Sequence, residues 1–474
     1  MGVVVARRQH LGSALWLWLV LPVALFAVRR RGLPALLMLL ILFGGLGWWR
    51  GSGMARQLAV YQEFSKRKVV VVGTATLDGV YGKNSQLVFT LDHARMVSPV
   101  QGPLPGALNV AGFGAPAVFR GDVVQVGGAL YPTRGNAQAS ISYGDIAVLR
   151  HGASWLDSFR RRFAAGMYSA LPEPQASFGL GLLIGQRNTL PDDVTHTLLV
   201  VGLTHVIAVS GYNLTIIVNA ARKLLGGRSK FQMAAACITL ILVFVLITGN
   251  SPSIVRAAII SVLSLLAWYY GRQVPPLALL LVAGAVSVAA NPLYAWGNVS
   301  WYLSFLAFFG VLVLGPLVTS KLCHGREPPL VMQIVIESLC AEAMTVPYIL
   351  YIFGQMSLVS LPANVLVVAL VPLGMLLCVV AGVAGMLAPA LAGWLAWPAK
   401  LLLTYMLDAS ALLGRTPHAF VENIGFPLGM LVLAYAVVAA LILALKRAAR
   451  SKYAIITGKI EGERVERAFQ VVDN

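Results

Sequence analysis

Four apolar stretches of this chain carry polar side chains of the kinds that bind charged or polar molecules. The first stretch, THVIAVSGYNLTII, covers residues 204–217 and interrupts its apolar run four times. The residues of the four stretches that are candidates to line a polar path are, in chain order, His205, Ser210, Gly211, Asn213, Ser253, Arg256, Ser304 and Asn364. Polar groups at membrane depth are costly, and they usually face the interior of a bundle or an aqueous path.

Glycine and proline recur in the same stretches and weaken the helices there. The backbone groups that they free must be satisfied by protein or water, so irregular backbone at depth usually lines a cavity. Ordinary helix packing through small residues and polar contacts is the alternative. Four such stretches in one domain favour a lined cavity or pore, in which Arg256 is the strongest anion contact.

The histidine and serine of the first stretch are not spaced as a catalytic pair on one helix would be. His205 and Ser210 are five residues apart, which places them about 140° apart on a straight helix and not on one face. Ala208 stands where the glycine of an intramembrane serine protease is expected. The chain also has no HxHxDH, HExxH or GxxxxGK[ST] pattern, so we expect no metal, no cofactor, no nucleotide site and no enzyme activity.

Acidic residues inside apolar stretches leave a further question open. Glu337, Glu342 and Asp408 suit a proton-coupled transporter, but they also suit pairing with a nearby base or a place near the membrane edge. The sequence does not choose between these possibilities.

The elements that carry these residues are predicted to be transmembrane helices. Of the 474 residues, 58% are hydrophobic and 11% are charged, and apolar stretches long enough to cross a bilayer recur. The fold class is a polytopic α-helical membrane protein of about 11 transmembrane helices. The predicted spans lie near residues 14–28, 33–49, 196–220, 232–249, 253–270, 276–290, 299–318, 329–352, 364–387, 390–412 and 427–445.

A small β domain is predicted between the second and third spans, over residues 54–150. Valine-rich alternating runs such as KVVVVGTATL are separated there by Gly/Pro-rich pieces, a pattern typical of short strands and turns. An OB-like barrel is the expected fold. Its aromatic residues Tyr81, Phe89, Tyr131 and Tyr143 are candidates for stacking on nucleic-acid bases.

The predicted organisation has five parts. They are a transmembrane hairpin at 1–53, the β domain at 54–150, an amphipathic interfacial helical segment at 151–190, a polytopic channel domain at 191–446, and a cytoplasmic basic tail at 447–474. The net charge of +18 is largely explained by Lys and Arg in cytoplasmic loops. That charge pattern predicts an external N-terminus, an extracytoplasmic β domain and a cytoplasmic C-terminus.

Four motifs in this order resemble those of the ComEC competence DNA-channel family. GLTHVIAVSGYNL is similar to that family's GLxHLLAISGLHV, and GNSPSIVRAAI is similar to its G-x-x-P-S-x-x-R-A element. NPLYAWGNVSWYLSFLAFFG resembles an NP…S-F-x-L-S-F-x-A span, and VPYILYIFGQMSLVSLPANVLVVALVP resembles a P…F-x-x-x-S…P-x-A-N-L-x-x-x-P-x-V span. Asn213 stands where the family motif has a histidine.

The resemblance implies an inner-membrane channel that passes single-stranded DNA into the cytoplasm during natural transformation. It implies as partners single-stranded DNA, membrane lipid, a separate cytoplasmic helicase or motor, and a periplasmic or surface DNA receptor. Longer members carry a β-lactamase-like metallohydrolase domain, so strand degradation is expected here from a separate nuclease. A small-solute transporter with broken helices, or a non-conducting scaffold of an uptake or secretion apparatus, are the alternatives. The oligomeric state is left open.

Overall fold

The computed structural model describes residues 2–6, 33–81, 86–115, 117–132, 137–152, 154–186, 189–207, 211–249, 251–323 and 328–447. These residues fall into two compact units. The first unit runs to Asp192 and also includes His205–Tyr302 and Pro372–Thr404. The second unit includes Asp193–Thr204, Leu303–Val371 and the chain from Tyr405 onward.

The first unit contains seven strands between residues 68 and 150. They are β1 (Lys68–Ala75), β2 (Val80–Tyr81), β3 (Leu87–Ser98), β4 (Gly102–Pro103), β5 (Leu108–Phe113), β6 (Val123–Pro132) and β7 (Ala139–Arg150). Five of them close a ring, because β1 pairs with β3, β3 with β5, β5 with β7, β7 with β6, and β6 again with β1. The β5–β7 pairing is parallel and the other four are antiparallel. Closure leaves these five strands without a free edge.

Alternating residues along the strands build the core of this barrel. In β3, Leu87, Phe89 and Leu91 face inward, and each is at most 4% exposed. The helix Leu33–Glu63 continues across the predicted boundary at residue 54, and its last residues pack in the barrel. Tyr61 of this helix is 1% exposed among the core side chains, and its hydroxyl donates to the carbonyl oxygen of Pro105 at 2.7 Å.

An amphipathic helix, Trp155–Ala170, follows the barrel. Ser154 caps its N-terminus by accepting from the amide of Leu156. Arg160 forms an ion pair with Asp78 of the barrel at 2.7 Å, with both side chains only about a tenth exposed. Further along, Gly166 lies so close to Gly385 that a Cβ on Gly385 would overlap the Gly166 carbonyl. This helix therefore contacts both the β domain and a membrane helix of the same unit.

A second polar contact joins the barrel to a membrane helix. The guanidinium of Arg120 donates to the main-chain oxygen of Leu246 at 2.6 Å, and its backbone amide donates to Asp78. Burial lowers the pKa of Arg120, and the nearby Arg160 lowers it further, while Asp157 and Asp78 oppose these effects. The contact with Leu246 holds the barrel on the helical part of the first unit, while the bond to Asp78 fixes Arg120 within the barrel.

The remaining helices of the first unit are mostly apolar. Their bounds are Gln175–Ile184, Gly211–Leu224, Lys230–Thr248, Pro252–Tyr269, Pro276–Ala290 and Leu293–Gly297. Val299–Phe309 leaves this unit and continues through a π-helical turn, Gly310–Leu314, into Gly315–Leu322. Arg50 caps the C-terminus of Pro276–Ala290 by donating to the carbonyl oxygens of Ala289 and Ala290.

The second unit is organised around Leu330–Phe353, which carries Pro347 in its interior. A two-stranded antiparallel sheet pairs Met356–Ser357 with Phe420–Val421, which are distant in the chain. Further along, Ser360–Val367 passes through a 3-10 turn into Val371–Leu387, which belongs to the first unit from Pro372 onward, as do Pro389–Leu395 and the part of Trp397–Gly414 up to Thr404. Tyr435 of the final helix donates to the main-chain oxygen of Met344 at 2.9 Å.

The number of predicted spans is not confirmed. Within the described residues, five helices are long and apolar enough to cross a membrane, or six if a bent pair counts as one span. The five are Lys230–Thr248, Val299–Leu322, Leu330–Phe353, Ser360–Leu387 and Leu428–Arg447. The predicted span 14–28 lies outside the described residues. The chain is accordingly a largely helical membrane protein with a small β region.

Two predicted spans are broken in the structure. Residues 196–220 were expected as one span, but they lie in three helices, Asp192–Val200, Thr204–Ile207 and Gly211–Leu224. Residues 390–412 lie in Pro389–Leu395 and Trp397–Gly414, which are bent by 53°. Hydropathy averaged along a stretch does not register a single turn, so it gave one span in each case, although Gly211 had marked a weak point in the first of them.

Candidate functional site

The first and second motif stretches meet in the first unit. Gly211, the first residue of Gly211–Leu224, packs against the second turn of Pro252–Tyr269. A Cβ on Gly211 would lie 2.8 Å from the Cβ of Ala257 and 3.3 Å from a terminal nitrogen of Arg256. Any larger residue at position 211 would therefore displace the guanidinium or the neighbouring helix.

Arg256 is 5% exposed, so its guanidinium lies inside the unit. Ser253 is half-buried one turn earlier on the same helix. Ser251 begins this helix by accepting from the amide of Ile254. A cation one turn after the start of a helix, whose first backbone amides point outward, is a favourable arrangement for an anion.

Asn213 is 2% exposed, and its amide nitrogen donates to the carbonyl oxygen of Leu182 at 3.1 Å. Leu182 belongs to Gln175–Ile184, a short helix that is almost entirely buried. Asn213 therefore links two helices of the first unit. His205 is exposed on Thr204–Ile207, and Ser210 lies outside the described residues.

The first and fourth motif stretches meet in the second unit. Gly202 turns the chain with φ of +77°, a left-handed conformation that residues with a side chain rarely adopt. A Cβ there would lie 2.9 Å from the Cβ of Ser360 and 3.4 Å from that of Ser357. Glycine is thus required at position 202 both for the turn and for the close approach of Ser360.

A carboxylate lies beside this contact. The amide nitrogen of Asn364 donates to Glu342 at 3.4 Å, and the hydroxyl of Ser360, on the same helix as Asn364, donates to the main-chain oxygen of Ser357 at 3.4 Å. Asn364 is 8% exposed, and its amide oxygen is buried without a hydrogen-bond partner. Sequence reasoning singled out Asn364 and left the role of Glu342 open, because the contact between their helices is tertiary. Ser304, also predicted, is half-buried on Val299–Phe309.

A surface groove of about 530 Å³ crosses strands β1, β6 and β7 of the barrel. Its lining includes two of the predicted aromatic residues together with a lysine, namely Tyr131, Tyr143 and Lys68, and also Ser98 and Asp145. Tyr143 is 74% exposed, so its ring is accessible to a ligand.

The other two aromatic candidates lie elsewhere. Phe89 is 4% exposed in the barrel core, which corrects the expectation that its ring stacks on a base. Its place in the alternation between Leu87 and Leu91 is the sequence signal for this inward position. Tyr81 is exposed on β2 and does not line the groove.

No group of three or more His, Cys, Asp or Glu side chains that could hold a metal ion occurs in the part of the chain that the structure describes.

Comparison with known proteins gives two matches. The model of a family described as "Competence protein" matches residues 182–448, which is more than half of the chain. ComE operon protein 3 of Bacillus subtilis (strain 168) is 28% identical over 229 residues. That alignment covers 48% of this chain and 28% of the relative, so most of the relative's length lies outside the alignment. No solved structure matches.

Proposed function

Because this chain belongs to the Competence protein family, we propose that it is a cytoplasmic-membrane channel that passes single-stranded DNA into the cytoplasm during natural transformation. The observation that carries the proposal is the buried Arg256 beside Gly211, since this contact brings two of the motif stretches together. A polyanion crossing a bilayer needs its phosphates screened from lipid, and arginine is the side chain best suited to phosphate. Neutral groups such as Ser253 would let the strand move on without trapping it.

In this proposal the β domain receives the DNA. Its five strands close in the order β1-β3-β5-β7-β6, which supports an OB-like fold, a small Greek-key barrel used in nucleic-acid binding. The groove supplies two tyrosines for stacking on bases and Lys68 for a phosphate contact. Stacking contributes about 1–3 kcal/mol per base with little dependence on sequence, which suits a receptor for any DNA.

We further propose an orientation and a set of partners. The β domain and N-terminus lie outside and the C-terminus lies in the cytoplasm, as the distribution of basic loops predicts. A cytoplasmic motor supplies the energy, a receptor outside the membrane delivers the DNA, and a separate nuclease removes the other strand.

The test is uptake of labelled double-stranded DNA by a deletion strain complemented with wild type, Arg256→Ala or Arg162→Ala. Arg162 is the matched control, because it is an exposed arginine of the amphipathic helix. We expect DNA to enter the cytoplasm with wild type and Arg162→Ala, and to accumulate outside the membrane in the deletion strain and with Arg256→Ala. Arg256→Lys, which keeps the charge, separates loss of the anion contact from loss of folding.

Unchanged entry of DNA into the cytoplasm of the deletion strain would refute the channel and favour a solute transporter or a scaffold. Normal uptake by Arg256→Ala, at wild-type protein level, would remove Arg256 from the DNA path while leaving the channel standing.

A further inference from the structure

We propose that Glu342, Ser360 and Asn364 form a binding site for one small monovalent cation, either a proton or Na⁺. The site belongs to the second unit and its existence does not depend on what crosses the membrane, so it stands apart from the channel proposal. Its three side chains come from two helices, Leu330–Phe353 and Ser360–Val367.

The charge of Glu342 needs compensation inside the membrane. Glu342 is the thirteenth of the 24 residues of its helix, so it lies about 18 Å from the helix start, at the level of the bilayer centre. The ion pairs in the described part of the chain join other residues, His151 with Asp122 and Arg160 with Asp78. A carboxylate at this depth without a basic partner must either carry a proton or bind a cation.

The amide of Asn364 offers an unsatisfied oxygen beside this carboxylate. The amide nitrogen donates to the Glu342 carboxylate, and the amide oxygen is a buried acceptor with no donor. Leaving a buried acceptor unsatisfied is costly, and a cation held between this oxygen and the carboxylate satisfies both groups. A protonated Glu342 does the same, because its hydroxyl can donate to the amide oxygen once the amide turns over.

Further oxygen atoms surround the pair. The hydroxyl of Ser360 lies one turn before Asn364 and donates to the main-chain oxygen of Ser357, and the hydroxyl of Ser357 is buried without a partner. Pro347 has no N–H to donate to the carbonyl of Ala343, the residue after Glu342, so that carbonyl lacks its helical partner. Carboxylate, amide, hydroxyl and freed carbonyl oxygens are the ligands of hard cations, and broken helices in transporters present them to Na⁺ and H⁺.

Other titratable groups on the packed elements are engaged or distant. Glu337 accepts from Gln333, Tyr435 donates to the carbonyl of Met344, and Lys321 is exposed at the end of Gly315–Leu322. The cation site is therefore governed by Glu342.

The experiment measures thermal unfolding of the purified full chain in lipid nanodiscs. Na⁺ is varied from about 1 to about 100 mM against choline at fixed ionic strength, and pH is varied separately, because a ligand of the folded state raises the unfolding midpoint. The variants are Glu342→Gln, which mimics the neutral acid, and Asn364→Ala, which removes the amide. Glu337→Gln is the matched control on the same helix.

We expect the wild type and Glu337→Gln to gain about 2–5 °C in unfolding midpoint on binding. A gain with Na⁺ identifies Na⁺, and a gain as pH falls, without response to Na⁺, identifies a proton. Glu342→Gln should respond to neither, and Asn364→Ala should need more cation for the same gain. A wild type that responds no more than Glu342→Gln, or an unchanged response in both variants, would overturn the site.

Discussion

Replacing Gly202 by alanine should disrupt the contact between the first and fourth motif stretches. The backbone has φ of +77° here, and an alanine in the left-handed region costs about 1–2 kcal/mol. The added Cβ would lie 2.9 Å from the Cβ of Ser360, well inside the carbon–carbon optimum of about 3.5–4.0 Å. Overpacking of this kind costs about 1–3 kcal/mol, so the total is about 2–5 kcal/mol.

The assay for Gly202→Ala combines transformation frequency, protein amount in the membrane and the unfolding midpoint of the purified chain. We expect a lower midpoint and a lower transformation frequency, since a loss of about 1.4 kcal/mol or more lowers the folding equilibrium constant at least about tenfold. Gly227→Ala is the control, because a Cβ there has no atom within 4 Å and the backbone is not left-handed.

The double variant Gly202→Ala/Ser360→Gly isolates the steric part of the effect. Removing the Cβ of Ser360 should recover the overpacking cost in stability but not the cost of the left-handed alanine. A Gly202→Ala protein with the wild-type midpoint and wild-type transformation would refute the close packing at this turn.

Two further predictions concern the β domain. Arg160→Ala removes the cation paired with Asp78, a carboxylate that is only about a tenth exposed. We therefore expect the attachment of the barrel to lose about 3 kcal/mol. The measurement is limited proteolysis, in which the β domain should be cleaved earlier than in the wild type. Tyr143→Ala removes the most exposed ring of the groove, so we expect at least about fivefold weaker binding of a labelled single-stranded oligonucleotide, measured by fluorescence anisotropy.

Each of these variants has a control close to it in the chain. Arg162→Ala removes an exposed arginine from the same helix as Arg160 and should leave proteolysis unchanged. Leu149→Ala removes an exposed side chain of β7 outside the groove and should leave oligonucleotide affinity unchanged. Equal effects of variant and control would contradict the ion pair in the first case and the stacking surface in the second.

The membrane class and the small β region followed from the sequence because hydropathy and strand alternation are local properties. The family also followed from the sequence, since its motifs occur in the expected order. The contacts of Gly211 with Arg256, and of Asn364 with Glu342, did not follow, because they join residues tens of positions apart. The buried position of Phe89 could have been predicted locally, because Phe89 alternates with Leu87 and Leu91 along β3 and these two leucines also face the core.

The continuous helix Leu33–Glu63 determines how the β domain can be separated from the rest of the protein. An isolated domain that begins at the first strand, Lys68, would lack Tyr61, leaving a void in the barrel core and the carbonyl of Pro105 without its donor. Losing a buried aromatic side chain costs about 3–5 kcal/mol, a large fraction of the stability of a domain of this size. A soluble fragment for binding studies should therefore begin near Met54, within the helix, so that it keeps the last helical turns and the Tyr61 side chain in the barrel core.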